Sequence, residues 1–224
     1  MPLYMTATRG VLFDVDGTLV DTTYLHAVTW WEAIRQAGHD VPMAEVHRGI
    51  GMGSDKLVGH LLGDDGDQEE LSAAHDVLFS AWWERLRPLP GAADLLRGCA
   101  DRGLAVVLAS SAKDEELDKL RRIIGADDVV TAATSSSDAE GSKPEPDILQ
   151  AALDRSGVDP AHSVFVGDSV WDVQASARLD IPCIGLTCGG TGAAELTAAG
   201  AVETYENPAA LLAALDRSAI KRLL

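Results

Sequence analysis

The chain has 224 residues, 46% of them hydrophobic and 24% charged, which is enough for one sizeable core plus a small accessory unit. Its net charge of −17 argues against a nucleic-acid or acidic-membrane partner, because phosphate-rich surfaces demand a basic face. No eighteen consecutive apolar residues occur, and Met1 to Arg9 has neither a long apolar stretch nor a cleavage-site pattern, so a soluble, cytoplasmic protein is expected.

The first predicted element is a strand over Gly10-Val11-Leu12-Phe13. Its unbroken apolar character implies burial on both faces in a parallel sheet. It runs into Asp14-Val15-Asp16-Gly17-Thr18, so two carboxylates emerge where open α/β sheets bind ligands. From Asp21 the period becomes helical. Tyr24, Ala27, Val28, Trp31 and Ile34 define one helix, Leu57, Val58, Leu61 and Leu62 a second, and Leu71, His75, Leu78, Trp82 and Leu86 a third. Gly38, the Gly49-Ile50-Gly51-Met52-Gly53 loop and the Gly63–Asp67 run separate them. Residues 21–87 are therefore read as an inserted all-helical cap, and residues 1–20 with 88–224 as an α/β core.

After Pro88-Leu89-Pro90-Gly91 the sheet pattern resumes. Helix 92–101 leads to strand 104–109, helix 114–124 to strand 128–132, and helix 146–156 to strand 163–167. A helix near Asp172 leads to strand 182–186, and helices near 193–199 and 208–216 follow. Such alternation implies a Rossmann-like parallel sheet with right-handed crossovers. Cys99, Cys183 and Cys188 lack the paired spacing of a zinc site and read as reduced structural thiols.

The chemistry gathers at strand ends. Crowded carboxylates in a half-buried crevice repel each other and lose hydration, so Asp14 and Asp16 ask for a cation. Strand 104–109 ends in Ser110 and Ser111, hydroxyls placed to hold an anionic oxygen. Gly141-Ser142-Lys143-Pro144 puts a lone lysine in a stiff loop, with Pro144 restricting Lys143 to extended backbone. Strand 163–167 ends in Asp168-Ser169, with Asp172 four residues on and on the same face if a helix starts there. Each short pattern alone has a duller reading as a turn, surface loop or helix cap.

Together, in this order, the Asp-x-Asp-Gly-Thr opening, strand-final serine, Lys-Pro-x-Pro-Asp loop and Gly-Asp-Ser-x-x-Asp loop resemble the haloacid dehalogenase superfamily. Within it the chain looks like the branch of phosphoglycolate phosphatase and β-phosphoglucomutase, whose helical cap follows the first strand. The resemblance implies a magnesium-dependent phosphatase acting on a small-molecule phosphate ester, a sugar phosphate or phosphoglycolate, through an aspartyl-phosphate. Asp14 would be the nucleophile. Asp16 would be the general acid and base, a role that needs a carboxyl kept partly protonated, with its backbone carbonyl ligating the metal. Asp14 and Asp168 would be direct magnesium ligands and Asp172 would hold a metal-bound water. Ser110 and the backbone around Ser111 would bind the transferring oxygens, Lys143 would offset charge, and Thr18 would tie down the carboxylate or the loop. The acid at Asp16 favours phosphate chemistry over dehalogenation.

In the cap, His26 lies where phosphoglucomutase-like members also carry a histidine; it would assist proton transfer or sense cap closure, or be simply an exposed helical histidine. Arg48 and Lys56 flank the glycine-rich loop, from which they could grip a second anionic group; solvated surface charge is the plainer reading of each. Of each pair Trp30–Trp31 and Trp82–Trp83, one member is expected in the cap core. Two other functions stay open: a sugar phosphomutase, although no lysine occurs between Lys56 and Lys113, and a non-catalytic phosphate-binding regulator. The sequence leaves the oligomeric state unknown.

Overall fold

The computed structural model describes residues 8–224, so the expectation for Met1 to Ala7 lies outside the described residues. Strand β1, Thr8–Phe13, carries Val11, Leu12 and Phe13, all fully buried. Burial of a side chain such as Phe13 stabilises the fold by roughly 1.5–3 kcal/mol. Four helices follow: α1 (Thr23–Gln36), α2 (Met43–Gly49), α3 (Ser54–Leu62) and α4 (Gln68–Ser80). The remaining elements are α5 (Ala92–Ala100), β2 (Ala105–Ala109), α6 (Asp114–Ile124), β3 (Val130–Thr134), α7 (Asp147–Ser156), β4 (Val158–Gly167), α8 (Val170–Ala177), β5 (Cys183–Leu186), α9 (Ala193–Ala199), β6 (Glu203–Tyr205) and α10 (Pro208–Ala214).

The six strands form one sheet in the order β3-β2-β1-β4-β5-β6, with every pairing parallel. This is the Rossmann-like α/β architecture expected from the alternation. Successive side chains of β1 point to opposite faces. Val11 and Phe13 join Leu95, Leu96, Leu117, Leu120 and Leu211, from α5, α6 and α10, in one apolar layer. Leu12 joins Ile148, Leu149, Val173 and Leu196, from α7, α8 and α9, in the other. Phe13 pairs with Leu108 on one side and Val166 on the other, and the Asp14 amide continues the ladder to the Val166 carbonyl at 2.9 Å. The residues just past β1, β2 and β4 therefore share one edge of the sheet.

Among the helices between β1 and β2, α1 departs from its predicted face. In α1 the buried side chains include Ala27, Trp30, Ala33 and Ile34, while Tyr24 and Val28 are exposed and Trp31 is only half-buried. Trp30, Ile34, Val41, Val46, Leu57, Val58 and Leu71 make a separate small core. α2 adds a helix to the three predicted. α4 ends at Ser80, and a 3-10 turn at Trp83–Arg85 removes Trp82 and Leu86 from its period.

Other differences have local causes. Asp127–Val129 form a 3-10 turn, so β3 starts and finishes two residues later than predicted. β4 reaches back to Val158 because Thr8 pairs with it before the register shifts. β6 was not predicted; at three half-buried residues on the sheet edge it has too little pattern to read. All three cysteines are free, two buried and Cys188 half-buried. Among the described residues no helix is long and apolar enough to cross a membrane.

Candidate active site

The chain turns sharply after Asp14 because Gly17 adopts a φ of +76° and lacks a side chain that would collide with Asp168 and Thr23. That turn lets Thr18 Oγ1 reach both acids, donating to Asp168 Oδ1 at 2.9 Å with Asp14 Oδ2 at 3.3 Å. Asp168 is pressed between Gly17 and Gly189, each of which has no room for a Cβ. Asp172 sits in the first turn of α8. Ser169 Oγ caps that helix by accepting from the Asp172 amide, and the Asp172 carboxylate accepts from the Ser169 amide at 3.0 Å. The cap explanation for Asp168-Ser169 is thus correct for Ser169, and it fixes Asp172 toward Asp14.

Lys143 joins these acids from the loop before α7. Its side chain is 1% exposed, and Nζ stands 2.5 Å from Asp14 Oδ1 and 2.8 Å from Asp172 Oδ1. The approach to Asp172 is a close, buried ion pair. One buried cation thus faces three buried carboxylates. Burial pushes Asp14 up to about 7, with Asp172 and Asp16 adding to the rise against the pull of Lys143. Burial, then Asp172 and Asp14, push Asp168 well above the usual carboxylate range. Burial works against the Lys143 ammonium, yet Asp14 and Asp172 hold it above the usual lysine value.

This charge deficit is a test of metal fit. Oxygens of Asp14, Asp168 and Asp172 lie within 4.8 Å of one another, an all-oxygen donor set of the kind that hard divalent ions take. The glycine-lined approach to Asp168 is consistent with a bound cation.

Asp16 lines, with Asp14, a pocket beneath α1, α3 and α4 with a cavity volume of about 90 Å³. Its Oδ1 accepts from Thr22 Oγ1 at 2.7 Å and lies 3.2 Å from His26 Nε2. Burial favours the neutral acid, but the hydrogen bond and charge of His26 outweigh it and hold Asp16 below the usual value. His26 rises correspondingly, Asp16 overcoming the cost of burial. The expectation of a partly protonated Asp16 therefore needs correcting: the proton sits on the His26 side of the pair. His26 is also not an exposed helical histidine.

Ser110 is fully buried, accepting from the Ala112 amide at 3.0 Å and lying 3.5 Å from Asp16 Oδ2. Ser111 lines the pocket, and its Oγ is buried without a partner. Arg48 and Lys56 are not brought to this pocket. Arg48 is exposed beside a second cavity, where its backbone carbonyl accepts from Trp171 Nε1 at 3.0 Å, and Lys56 is exposed. The glycine-rich loop between α2 and α3 instead presents Ile50, Gly51, Met52 and Gly53.

The loop is latched to the core. Ser142 Oγ accepts from the Gly53 amide at 3.1 Å and donates to Asp55, and Gly51, at a φ of +103°, lies against Ser169 and Trp171. Sequence reasoning missed the partners behind His26. His75 Nε2 lies 3.1 Å from His26 Nδ1, His75 Nδ1 lies 3.3 Å from Asp76, and Asp76 pairs with Lys113. Glu116 Oε1 stands 3.6 Å from His26 Nε2, buried and without a hydrogen-bond partner. A polar residue at an apolar position of α4 was the available signal for His75. Glu116 gave none, since acids are ordinary in a first helical turn.

Residues 8–180 match the family model of haloacid dehalogenase-like hydrolases, and the chain belongs to that family. Within the family its curated relatives include phosphoglycolate phosphatases, and it is an enzyme of the phosphatase class. It is 31% identical over 193 residues to the phosphoglycolate phosphatase of Yersinia pestis, covering 82% of each chain. Among solved structures it resembles a hydrolase from Pseudomonas syringae, with a TM-score of 0.88 and 29% identity over 93% of this chain and 98% of that one. The β-phosphoglucomutase of Clostridium difficile shares the fold, with a TM-score of 0.77 at 17% identity over 90% and 92% of the two chains.

Proposed function

We propose that the protein is a magnesium-dependent phosphatase that hydrolyses a small phosphorylated metabolite in the cytoplasm through a phosphorylated Asp14. The observation that carries this reading is the convergence of Asp14, Asp168, Asp172 and Lys143, with one buried cation against three buried carboxylates. A phosphate monoester resists attack because its own charge repels nucleophiles, so catalysis consists of neutralising charge and holding the attacker in line. Asp14, Asp168 and the Asp16 backbone carbonyl would hold magnesium, with Asp172 reaching it through water. The ion, when bound, supplies the positive charge that draws together the nucleophile and the phosphate.

Lys143 draws Asp14 toward its ionised form and orients it, and with the Ser110 hydroxyl and the backbone at Ser111 it steadies the transferring oxygens. The Asp14 oxygen bonds to phosphorus as the ester oxygen leaves. The Asp16–His26 pair carries one proton between two strongly coupled groups; Asp16 passes that proton to the leaving oxygen and later takes one from the water that cleaves the acyl-phosphate. Thr22 Oγ1 donates to Asp16 and Thr18 Oγ1 to Asp168, which orients those two carboxylates.

Hydrolysis is favoured over phosphoryl return to sugar because the pocket wall offers little for a second phosphate. Lys113, the one lysine or arginine lining that wall among the described residues, is engaged by Asp76. The test is release of inorganic phosphate from an aryl phosphate and from a metabolite panel. Activity is expected to vanish in excess chelator and return with magnesium, and undiminished turnover without divalent ions would refute the reading.

A further inference from the structure

One buried group has no place in that chemistry. Glu116 reaches from the first turn of α6 to within 3.6 Å of His26 Nε2, and its buried Oε1 has no donor. An unsatisfied buried carboxylate oxygen costs free energy unless something occupies the space before it. We propose that Asp16, His26 and Glu116 form a zinc site, separate from the all-oxygen centre at Asp14, Asp168 and Asp172, whose occupation inhibits the enzyme.

Geometry supports the assignment. Tetrahedral zinc with ligand bonds of about 2.0–2.1 Å places neighbouring ligand atoms about 3.3–3.4 Å apart. The His26 Nε2 to Asp16 and His26 Nε2 to Glu116 separations are 3.2 and 3.6 Å, and all three ligand atoms lie within 4.8 Å of one another. The chemistry of the donors selects the ion. One imidazole with two carboxylates suits zinc, whereas magnesium prefers oxygens in an octahedron. The two neighbouring clusters thus sort two ions by ligand type.

The surroundings also fit. A metal-binding histidine is held by a partner on its other ring nitrogen. Here His26 Nδ1 lies 3.1 Å from His75 Nε2, and His75 Nδ1 lies 3.3 Å from Asp76 Oδ1. Once zinc displaces the His26 Nε2 proton to solvent, one tautomer arrangement, with both histidines protonated on Nδ1, keeps the His26–His75–Asp76 chain intact and turns the Nε2 lone pair toward Asp16 and Glu116. His75 also stacks on Trp30, with ring centroids 4.4 Å apart, which fixes the second ring. The fourth zinc position opens to the pocket lined by Ser111 and Lys113.

Binding itself depends only on this geometry. Inhibition rests in addition on Asp16 carrying protons in the proposed reaction, since a zinc-bound carboxylate cannot give or take one.

The test is Co2+ titration of the whole protein in saturating Mg2+, followed by displacement with Zn2+. One Co2+ per chain with the intense visible absorption of tetrahedral coordination is expected, persisting in Asp168→Asn and lost in the isosteric Glu116→Gln. His75→Leu, a second and independent variant, is expected to weaken binding about 10–100-fold. In turnover assays zinc should lower kcat without changing the magnesium concentration that gives half-activation. Loss of the absorption band in excess Mg2+, or unchanged Co2+ binding by Glu116→Gln, overturns the site. Metal binding without inhibition would instead overturn the role given to Asp16.

Discussion

Lys143 Nζ lies 2.8 Å from Asp172 Oδ1, so the acid that begins α8 is tied to the loop before α7 through one buried ammonium. Asp172 is therefore an electrostatic partner of Lys143 as well as an expected holder of metal-bound water. Replacing Lys143 by Met leaves Asp14, Asp168 and Asp172 without a counter-charge. Losing one partner of a buried ion pair costs about 3–5 kcal/mol. Thermal unfolding of metal-free Lys143→Met should show that loss at pH 8 and a smaller one at pH 5, where Asp14 and Asp168, raised by burial, take up protons. Magnesium at about 100 times its Kd should return about 2.7 kcal/mol to a variant that still binds it.

Asp14→Asn should have opposite effects on activity and stability. Turnover of an aryl phosphate should fall about 10,000-fold or more, as for removal of a nucleophile in other enzymes. The metal-free protein should melt at a higher temperature, because one of the mutually repelling buried carboxyls has become neutral. A variant that loses activity only in proportion to lost folded protein would argue against the nucleophile role.

How much of this site could be read beforehand follows from what each residue depends on. Asp14, Asp16, Ser110, Lys143 and Asp168 stand at the ends of strands or in a short loop, where local pattern and family order locate them. The strands were legible because buried parallel strands are continuous apolar runs. The face of α1 was not. Trp30 and Trp31 are equally apolar, and the way α2, α3 and α4 pack around α1 decides which is buried. Glu116 and His75 escaped for the same reason, since their meeting with His26 depends on how α6 and α4 lie against α1. The lowered Asp16 value depends on that meeting too.

His75 gives the stability a pH signature. Burial lowers its pKa from 6.5 to about 4. Between those values the unfolded chain binds a proton that the folded protein does not, so His75 makes stability fall as pH drops from about 6.5 to about 4. Denaturant unfolding across that range should show a shallower decline for His75→Leu than for the unsubstituted protein. Equal slopes would mean that His75 is protonated in place.

Gly51 tests the latch. A methyl group there would sit 2.6 Å from Ser169 Oγ, on backbone at a φ of +103° that L side chains rarely adopt. Forcing such backbone costs about 1–3 kcal/mol. Gly51→Ala should therefore lower kcat/KM by roughly 5- to 100-fold, with little change in the melting temperature of the core. Stopped-flow phosphate release would separate slowed closure from slowed chemistry.

The central place of β1 has a consequence for biosynthesis. Thr18 leaves the ribosome long before its partner Asp168, from which it is separated by 150 residues. At about 5–20 residues per second that interval lasts roughly 8–30 s. Throughout it the nascent chain exposes an apolar segment whose neighbours on one side are not yet made, so this stretch is where a chaperone that shields hydrophobic strands would engage the emerging polypeptide.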